Sequence, residues 1–561
     1  MLLDKITSPE DLKTLTSTQL PQLCEELKRF VLESTPEKSG HILSSITVTE
    51  LTVALHYVFN TPQDILVWDV GHQAYVHKVI TDRKAIFSGN RKKGGISGFT
   101  ARIESEFDPF GTGHSSTSIS AVGGFSQSAL LKNIERKHIA VIGDGALTGG
   151  MAYEALNHLG TSNLDVLVVL NDNESSIDPN VGALHEFGNY KDFFESLGWG
   201  YSGPIDGNNT DKLVRSLEAE KANCGPRMLH EKTVKRTLTY WKESLNIQPS
   251  SIIHHPSSIT LYQDVFAQKL IELAMVDEKI VAISPAMLSG SSLTKFQEKF
   301  PNRCFDTGIT EQHAVTFAAG LAADGMKPIV HLYSTFAQRA FDQILHDVAL
   351  QNLPVVFALD RAGLVGEDGA THHGAFDLSF LNSVPNLQIL APMNAAELRG
   401  MLSYASEQRG PVVVRFPRGG EENAILEEQK IEKASFEVLQ KGEKITVVSL
   451  GTIGQEVAKA VAELPNVGHI NLRFLKPWNN TELKEVLHYS STIITAEEGS
   501  MRGGLRDAMA AWASVNLANT AVKGIGLPDQ FVAHATPEEL AADFGLDADG
   551  IRLAINRLAK Q

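Results

Sequence analysis

Nine short apolar runs recur along the chain: "DILVWDV" (64–70), "HIAVIGD" (138–144), "LDVLVVLND" (164–172), "KIVAISPA", "KPIVHLYS", "LPVVFALD", "GPVVVRFP", "KITVVSLG" and "STIITAEE". Longer segments with helical spacing lie between them, such as "MAYEALNHL" after the second run. Nearly continuous apolar strands separated by amphipathic helices predict parallel sheets covered on both faces. The fold class is therefore α/β, and the unit is repeated. Two stretches interrupt the pattern. "NIQPSSIIHHPSSIT" (246–260) is rich in Ser, Pro and His and reads as a linker. "GGEENAILEEQKIEKASFEVLQKGEK" (419–444 region) is charged and poor in core residues. Together they predict three domains, at 1–250, 259–430 and 440–561. No short-period repeat and no low-complexity tract is visible.

Composition narrows the function class. The 561 residues are 43% hydrophobic and 21% charged, as in ordinary globular proteins. The net charge of −16 argues against nucleic acid or an anionic membrane as the main partner. Anionic substrates would then need a local cluster of Arg, Lys or metal. Three cysteines, Cys24, Cys224 and Cys304, form no C-x-x-C pair, which predicts a reducing compartment. The first residues carry acids early and have no apolar run of signal-peptide length. No stretch approaches the roughly 18 apolar residues of a membrane helix. The expected location is the cytoplasm.

The chemistry begins at "GDG" (143–145). The run before it delivers Asp144 to the carboxyl edge of a parallel sheet, where open α/β sheets bind ligands. Gly143 and Gly145 allow the backbone to approach a phosphate closely. The helix that follows can turn its N–H groups to an anion. The next run ends at Asn171-Asp172-Asn173. A carboxylate, an amide carbonyl and a backbone carbonyl, with phosphate oxygens and water, would complete an octahedral Mg²⁺ shell. The competing reading is two ordinary strand-end turns, since Asp, Asn and Gly favour turns anyway. The pair of motifs, 29 residues apart from Asp144 to Asn173, favours the metal.

GDG with a later Asn turn is the thiamine-diphosphate signature of transketolase-like enzymes. Around it, "WDVGHQAYVHK", "GTGHSSTSIS" and "NDNESSIDPNVGAL" resemble the 1-deoxy-D-xylulose-5-phosphate synthase family. Downstream, "ITEQHAVTFAAGLA", the segment from "YSTFAQRAFDQ" to "GLVGEDGATHHGAFDLS", and "VRFPRG" resemble the same family. The matches span nearly the whole chain except about 185–260. The resemblance implies thiamine diphosphate and Mg²⁺ as cofactors, with pyruvate and glyceraldehyde 3-phosphate as substrates. Residue by residue, it implies a metal held by Asp144, Asn173 and the backbone carbonyl of Ser175. Cofactor contacts fall to His72, His114, Ser115, Ser116, Gly145, Ala146, Asn173 and Phe336. Glu311 would share a proton with the pyrimidine ring nitrogen and so activate the cofactor; a helix-start Glu that only complements the dipole is the plain alternative. His41 and His372 would move protons at substrate oxygens, with His373 a neighbour easily confused with His372. Arg361 and Arg418 end strands and offer planar forks for the acceptor phosphate. Tyr333, Arg339 and Asp368 would meet substrate as well.

The C-terminal segment "VVSLGTIGQEVAKAVAEL" lacks G-x-G-x-x-G, so a dinucleotide site is rejected, and its implied work is homodimer contact. Three departures from the family stand out. The chain runs almost directly from the Asn turn through "NVGALHEFGNYKDFF", where relatives carry several dozen more residues. "HEKTVKRTLTYWKES" replaces a Gly-rich run. Thr47 in "SSITVTEL" stands where Gly is usual, which would shift the loop after His41. These departures put closure and water exclusion in question. The expected activity is two-carbon transfer from pyruvate to glyceraldehyde 3-phosphate. The alternatives are a transketolase-like ketose-donor enzyme and a cofactor-binding homologue without turnover.

Overall fold

The structure is a computed structural model describing residues 1–35, 41–174, 178–234, 236–245, 247, 259–517 and 519–560. The linker predicted at 246–260 lies mostly outside the described residues, and so does Ser175. The chain packs as two compact units: Met1–His254 with Gly308–Thr310, and His255–Thr307 with Glu311–Gln561.

The first unit is built on five parallel strands: β1 (Ile65–Trp68), β2 (His138–Gly143), β3 (Val166–Asp172), β4 (Gly200–Asp206) and β5 (Pro226–Lys232), in the order β1-β2-β3-β5-β4. Alternate side chains of β1, β2, β3 and β5 enter different cores. Leu66, Trp68, Val141, Val169 and Leu229 join one cluster with the N-terminal helices. Val67, Ile142, Val168, Leu170 and Met228 join another on the opposite face. Burial on both faces is why these strands read as unbroken apolar runs. β1, β2 and β3 lie side by side, so Asp69, Asp144 and Asn173 leave adjacent strand ends.

The second unit continues with β6 (Ile259–Leu261), β7 (Ile280–Ser284), β8 (Cys304–Asp306), β9 (Lys327–Tyr333), β10 (Val356–Ala362), β11 (Gln388–Leu390), β12 (Val412–Pro417), β13 (Gly420–Glu422), β14 (Glu437–Gln440), β15 (Ile445–Leu450), β16 (Val467–Asn471), β17 (Phe474–Lys476), β18 (Thr492–Ser500) and β19 (Ala521–Leu527). Seven strands form one sheet, β17-β11-β12-β10-β9-β7-β8, parallel except for β17. Five form another, β14-β16-β15-β18-β19, parallel except for β14. β6 and β13 pair antiparallel. The charged 419–444 stretch lies between the two larger sheets in sequence but does not divide their packing. One core takes Val330, Leu359 and Val413 from the first and Val448, Ile470 and Ile493 from the second. β17 then returns to the edge of the seven-stranded sheet.

Thr47 behaves differently from expectation. The residues after His41 are helix, Ile42–Thr47, and not a loop. The Thr47 hydroxyl donates to the carbonyls of Leu43 and Ser44, both at 3.0 Å, so the helix absorbs its own polar group. "TLTYWKES" forms the helix Leu238–Ser244, capped by the Thr237 hydroxyl.

Candidate active site

Each unit carries its own set of the predicted residues. In the first, β2 ends at Gly143 and Asp144 opens a helical turn, Asp144–Leu147, with Gly145 and Ala146 inside it. Asp144 is buried. Its Oδ1 accepts the Gly145 N–H at 2.9 Å, while Oδ2 is buried with no hydrogen-bond partner. Burial and the nearby Asp172 carboxylate both push its pKa well up. Asp172 goes the other way. Burial opposes ionisation, but the His230 hydrogen bond at 2.9 Å and the Lys232 charge outweigh it. Asn171 is spent on structure, donating to Gln73 at 3.1 Å and accepting from Thr233 at 3.0 Å. Asn173 follows directly. Around Gly143 a Cβ would meet nothing within 4 Å, so the backbone there is open to close approach.

The loop with His114 is held by a residue that sequence reasoning missed. Asp69, just past β1, accepts the N–H of Ser116 at 2.7 Å and of Ser118 at 3.0 Å. Those bonds hold Ser116 at φ +68, a left-handed conformation that a non-glycine residue adopts at a cost. The Ser116 hydroxyl donates to the Ala146 carbonyl at 2.6 Å, tying this loop to the Asp144 turn. Ser116 and Ala146 thus shape the cradle from within, and Ser115 lies beside them, buried. Gly149 makes room, since a Cβ there would sit 2.2 Å from Ser116 Oγ. His41 and His72 come together, ring centroids 5.7 Å apart, with Phe99 5.8 Å from His41. Burial, then the Arg91 charge, lowers His72 to about 4, so its ring is neutral. Its Nδ1 is buried without a partner.

In the second unit, Glu311 begins the helix Glu311–Ala323 and is buried. Burial raises its pKa, against the pull of Arg339, whose Nε lies 3.3 Å from Glu311 Oε2. Arg339, expected to meet the substrate, also contacts the Glu311 carboxyl. Phe336 stacks on Tyr333 at 5.7 Å and 8°, and meets the His372 ring edge-on at 5.6 Å. The Arg361 guanidinium lies 4.3 Å over the Tyr333 ring and pairs with Asp360. Arg361 is itself left-handed, φ +58. Burial pushes the Tyr333 phenol up, so it stays a donor at working pH. Arg418 donates to the Val365 carbonyl at 2.8 Å. Asp368 and His372 share the loop between β10 and the helix Asp377–Asn382. Asp360 was not anticipated: it holds Arg361 on one side and His331, at 3.4 Å, on the other.

A family model described as 1-deoxy-D-xylulose-5-phosphate synthase matches residues 3–192 and 188–233. The transketolase pyrimidine binding domain matches 260–420, and the transketolase C-terminal domain matches 434–551. Proteins named 1-deoxy-D-xylulose-5-phosphate synthase resemble the chain throughout. The one from Idiomarina loihiensis is 42% identical, covering 100% of this chain and 99% of its own. That from Haemophilus influenzae is 43% identical, covering 100% and 98%. The chain belongs to the 1-deoxy-D-xylulose-5-phosphate synthase family. The alignment with the Idiomarina synthase runs over 612 positions against 561 residues here. The synthase family match also stops and restarts within 188–192. Both agree with a shortened segment after the Asn turn.

Synthases of this family depend on thiamine diphosphate and a divalent metal. The first unit fits such a group. Asp144 Oδ2 is a buried carboxylate oxygen with no partner, and the backbone at Gly143 is open. Among the described residues, no three His, Cys, Asp or Glu side chains are grouped to hold a metal alone. A cation at Asp144 would need amide and phosphate oxygens to complete its shell. Among the described residues, no helix is long and apolar enough to cross a membrane.

Proposed function

We propose that this chain joins pyruvate to glyceraldehyde 3-phosphate, with loss of CO₂, to give 1-deoxy-D-xylulose 5-phosphate. The observation that carries the reading is Asp144, a family-signature carboxylate with a buried, unpartnered oxygen beside an open glycine backbone. Thiamine diphosphate, when bound, supplies a carbon nucleophile and an electron sink for decarboxylation. Asp144 and Asn173 would hold the divalent metal, Mg²⁺ by the family resemblance; Ser175, the third ligand that resemblance implies, lies outside the described residues. His114, Ser115 and the Gly145–Ala146 backbone orient the diphosphate. Glu311, whose pKa burial raises, would share a proton with the pyrimidine ring nitrogen. Phe336 stacks on that ring.

Among the substrate groups, His41 and His372 hold protons at substrate oxygens, and the neutral His72 supports His41. Tyr333 donates its phenol proton to a substrate oxygen. Arg361 and Arg418 grip the acceptor phosphate, Asp368 meets its hydroxyls, and Arg339 moderates Glu311. We also infer a homodimer in the cytoplasm, which sedimentation and fractionation would test.

The experiment is a single turnover with thiamine diphosphate, Mg²⁺ and pyruvate, with and without glyceraldehyde 3-phosphate. Acceptor-dependent CO₂ release with deoxyxylulose phosphate as product is expected. Turnover of xylulose 5-phosphate with none of pyruvate would overturn the reading in favour of a ketose-donor enzyme. CO₂ release that yields only acetaldehyde would show that the shortened segment leaves the reactive carbon open to protonation by water.

A further inference from the structure

The loop Gly363–Gly374 carries Asp368 and His372. Its neck is closed by two backbone bonds, Gly363 N–H to the Gly374 carbonyl at 2.9 Å and Gly374 N–H to the Gly363 carbonyl at 2.8 Å. Inside it, the N–H groups of His372 and His373 both reach the Gly369 carbonyl, at 2.9 and 3.1 Å. The two histidines then part company. The His372 ring meets Phe336. The His373 ring is 3% exposed, and both its ring nitrogens meet backbone groups. Its Nδ1 accepts the Val365 N–H at 3.0 Å, and its Nε2 donates to the Ala533 carbonyl at 3.3 Å. Only a neutral ring with its proton on Nε2 satisfies both. Burial, which lowers its pKa, favours that form.

The line continues through Val365. Its carbonyl accepts from Arg418 at 2.8 Å. The C-terminal segment 533–537 lies flush against the loop. A Cβ on Gly366 would be 3.0 Å from Pro537 Cδ and 3.2 Å from the Ala535 carbonyl oxygen. One on Gly369 would be 3.0 Å from His534 Cβ. Both glycines have positive φ, +97 and +68, so loop and brace meet where a side chain would part them.

We propose that His373 is a positioning residue. It fixes the loop that presents Asp368 and His372, and through Val365 the Arg418 guanidinium, by bracing both on the C-terminal segment 533–537. A one-ångström misplacement of such groups costs on the order of 10²-fold in rate, which sets the scale of the effect. The kinetic readout rests on the reaction proposed above; the exchange readout does not.

The test compares His373→Ala and His373→Gln in the full chain loaded with thiamine diphosphate and Mg²⁺. An amide oxygen of Gln can accept from Val365 while its nitrogen donates to Ala533. His373→Ala is expected to lose ~10–100-fold in kcat/KM for glyceraldehyde 3-phosphate, mostly in KM, with thiamine diphosphate affinity unchanged. Hydrogen exchange at Val365 and across 533–537 should speed up in His373→Ala, and His373→Gln should restore both readouts. If His373→Ala fails to fold, Gly366→Ala, which pushes the brace away, should give the same kinetic and exchange signature. Wild-type kinetics and exchange in His373→Ala, or a Gln variant as impaired as Ala, would overturn the proposal. If the wild type makes no deoxyxylulose phosphate, the reaction reading fails, while exchange alone still decides the brace.

Discussion

The two sets of site residues satisfy their polar groups in opposite ways. At the strand ends of the first unit, Asp144 Oδ2 and His72 Nδ1 are buried without partners. In the second unit the cations are already engaged: Arg339 by Glu311, Arg361 by Asp360 and the Tyr333 face, Arg418 by the Val365 carbonyl. A buried polar atom without a partner costs about 1–3 kcal/mol. The first set therefore carries a cost that a cofactor and cation would relieve, and binding there should stabilise the fold by mass action. The second set is preorganised, holding its geometry at no such cost. One half is built to be completed and the other to be kept in place.

The largest expected effect tests the exception within the second set. Glu311 is engaged by Arg339 yet has its pKa raised, because burial wins. Glu311→Gln keeps the shape and removes the titrating proton. Turnover should fall by ~10²–10⁴-fold, with thiamine diphosphate binding changed far less. Near-wild-type turnover would reduce Glu311 to a helix-start carboxylate.

Next comes a pair of substitutions whose stability effects should have opposite signs. Asp144→Asn removes a buried charge that has an unpartnered oxygen, so the cofactor-free protein should resist urea better. Its Mg²⁺ affinity should fall by at least ~100-fold, since the loss of a supporting outer partner alone costs ~10–100-fold. Arg418→Met strips the donor from Val365, so the cofactor-free protein should weaken by about 0.5–1.5 kcal/mol. Its KM for glyceraldehyde 3-phosphate should rise while Mg²⁺ affinity stays. Urea titrations with and without cofactor read both. Equal signs would erase the distinction between the two sets.

What the sequence disclosed follows the same physics. Strands such as β2 and β3 are legible because both faces are buried, so every position must be apolar. β4, "GYSGPID", is mostly exposed or half-buried and carries no such run. β14, an edge strand, is likewise half-exposed. Asp144 and Glu311 are legible because their chemistry sits in contiguous motifs. Asp69 is not, because its partners lie 47 and 49 residues away and because the positive φ of Ser116 leaves no mark on residue type. Asp360 is hidden likewise, its link to His331 spanning 29 residues. Which guanidiniums are tied to protein, as Arg339 is to Glu311, is a tertiary fact that residue type cannot carry.

The smallest effect asks whether every orphaned carboxylate on the first sheet serves a ligand. Glu231, in β5, stands in register between Asn171 of β3 and Ile205 of β4. It is fully buried, and neither oxygen has a partner. Burial first, then the Asp172 charge, drives its pKa well above the ordinary carboxylate value. A carboxyl whose folded pKa is raised adds no pH-dependent cost at low pH, where both states are protonated. The cost appears as pH rises above the unfolded value and grows until the folded pKa is passed. The gain of Glu231→Val over the wild type should therefore be larger near pH 8 than near pH 4, by about 1–3 kcal/mol, read from urea midpoints. Because burial raises its pKa, Glu231 adds less charge to the metal site than an ordinary carboxylate, so Mg²⁺ affinity should change little in this variant, unlike in Asp144→Asn. A stability gain with intact metal binding would mark Glu231 as a plain energetic cost and leave Asp144 as the orphan that a ligand completes. A loss of Mg²⁺ affinity would mean that Glu231 is ionised in the native protein and belongs to the first set.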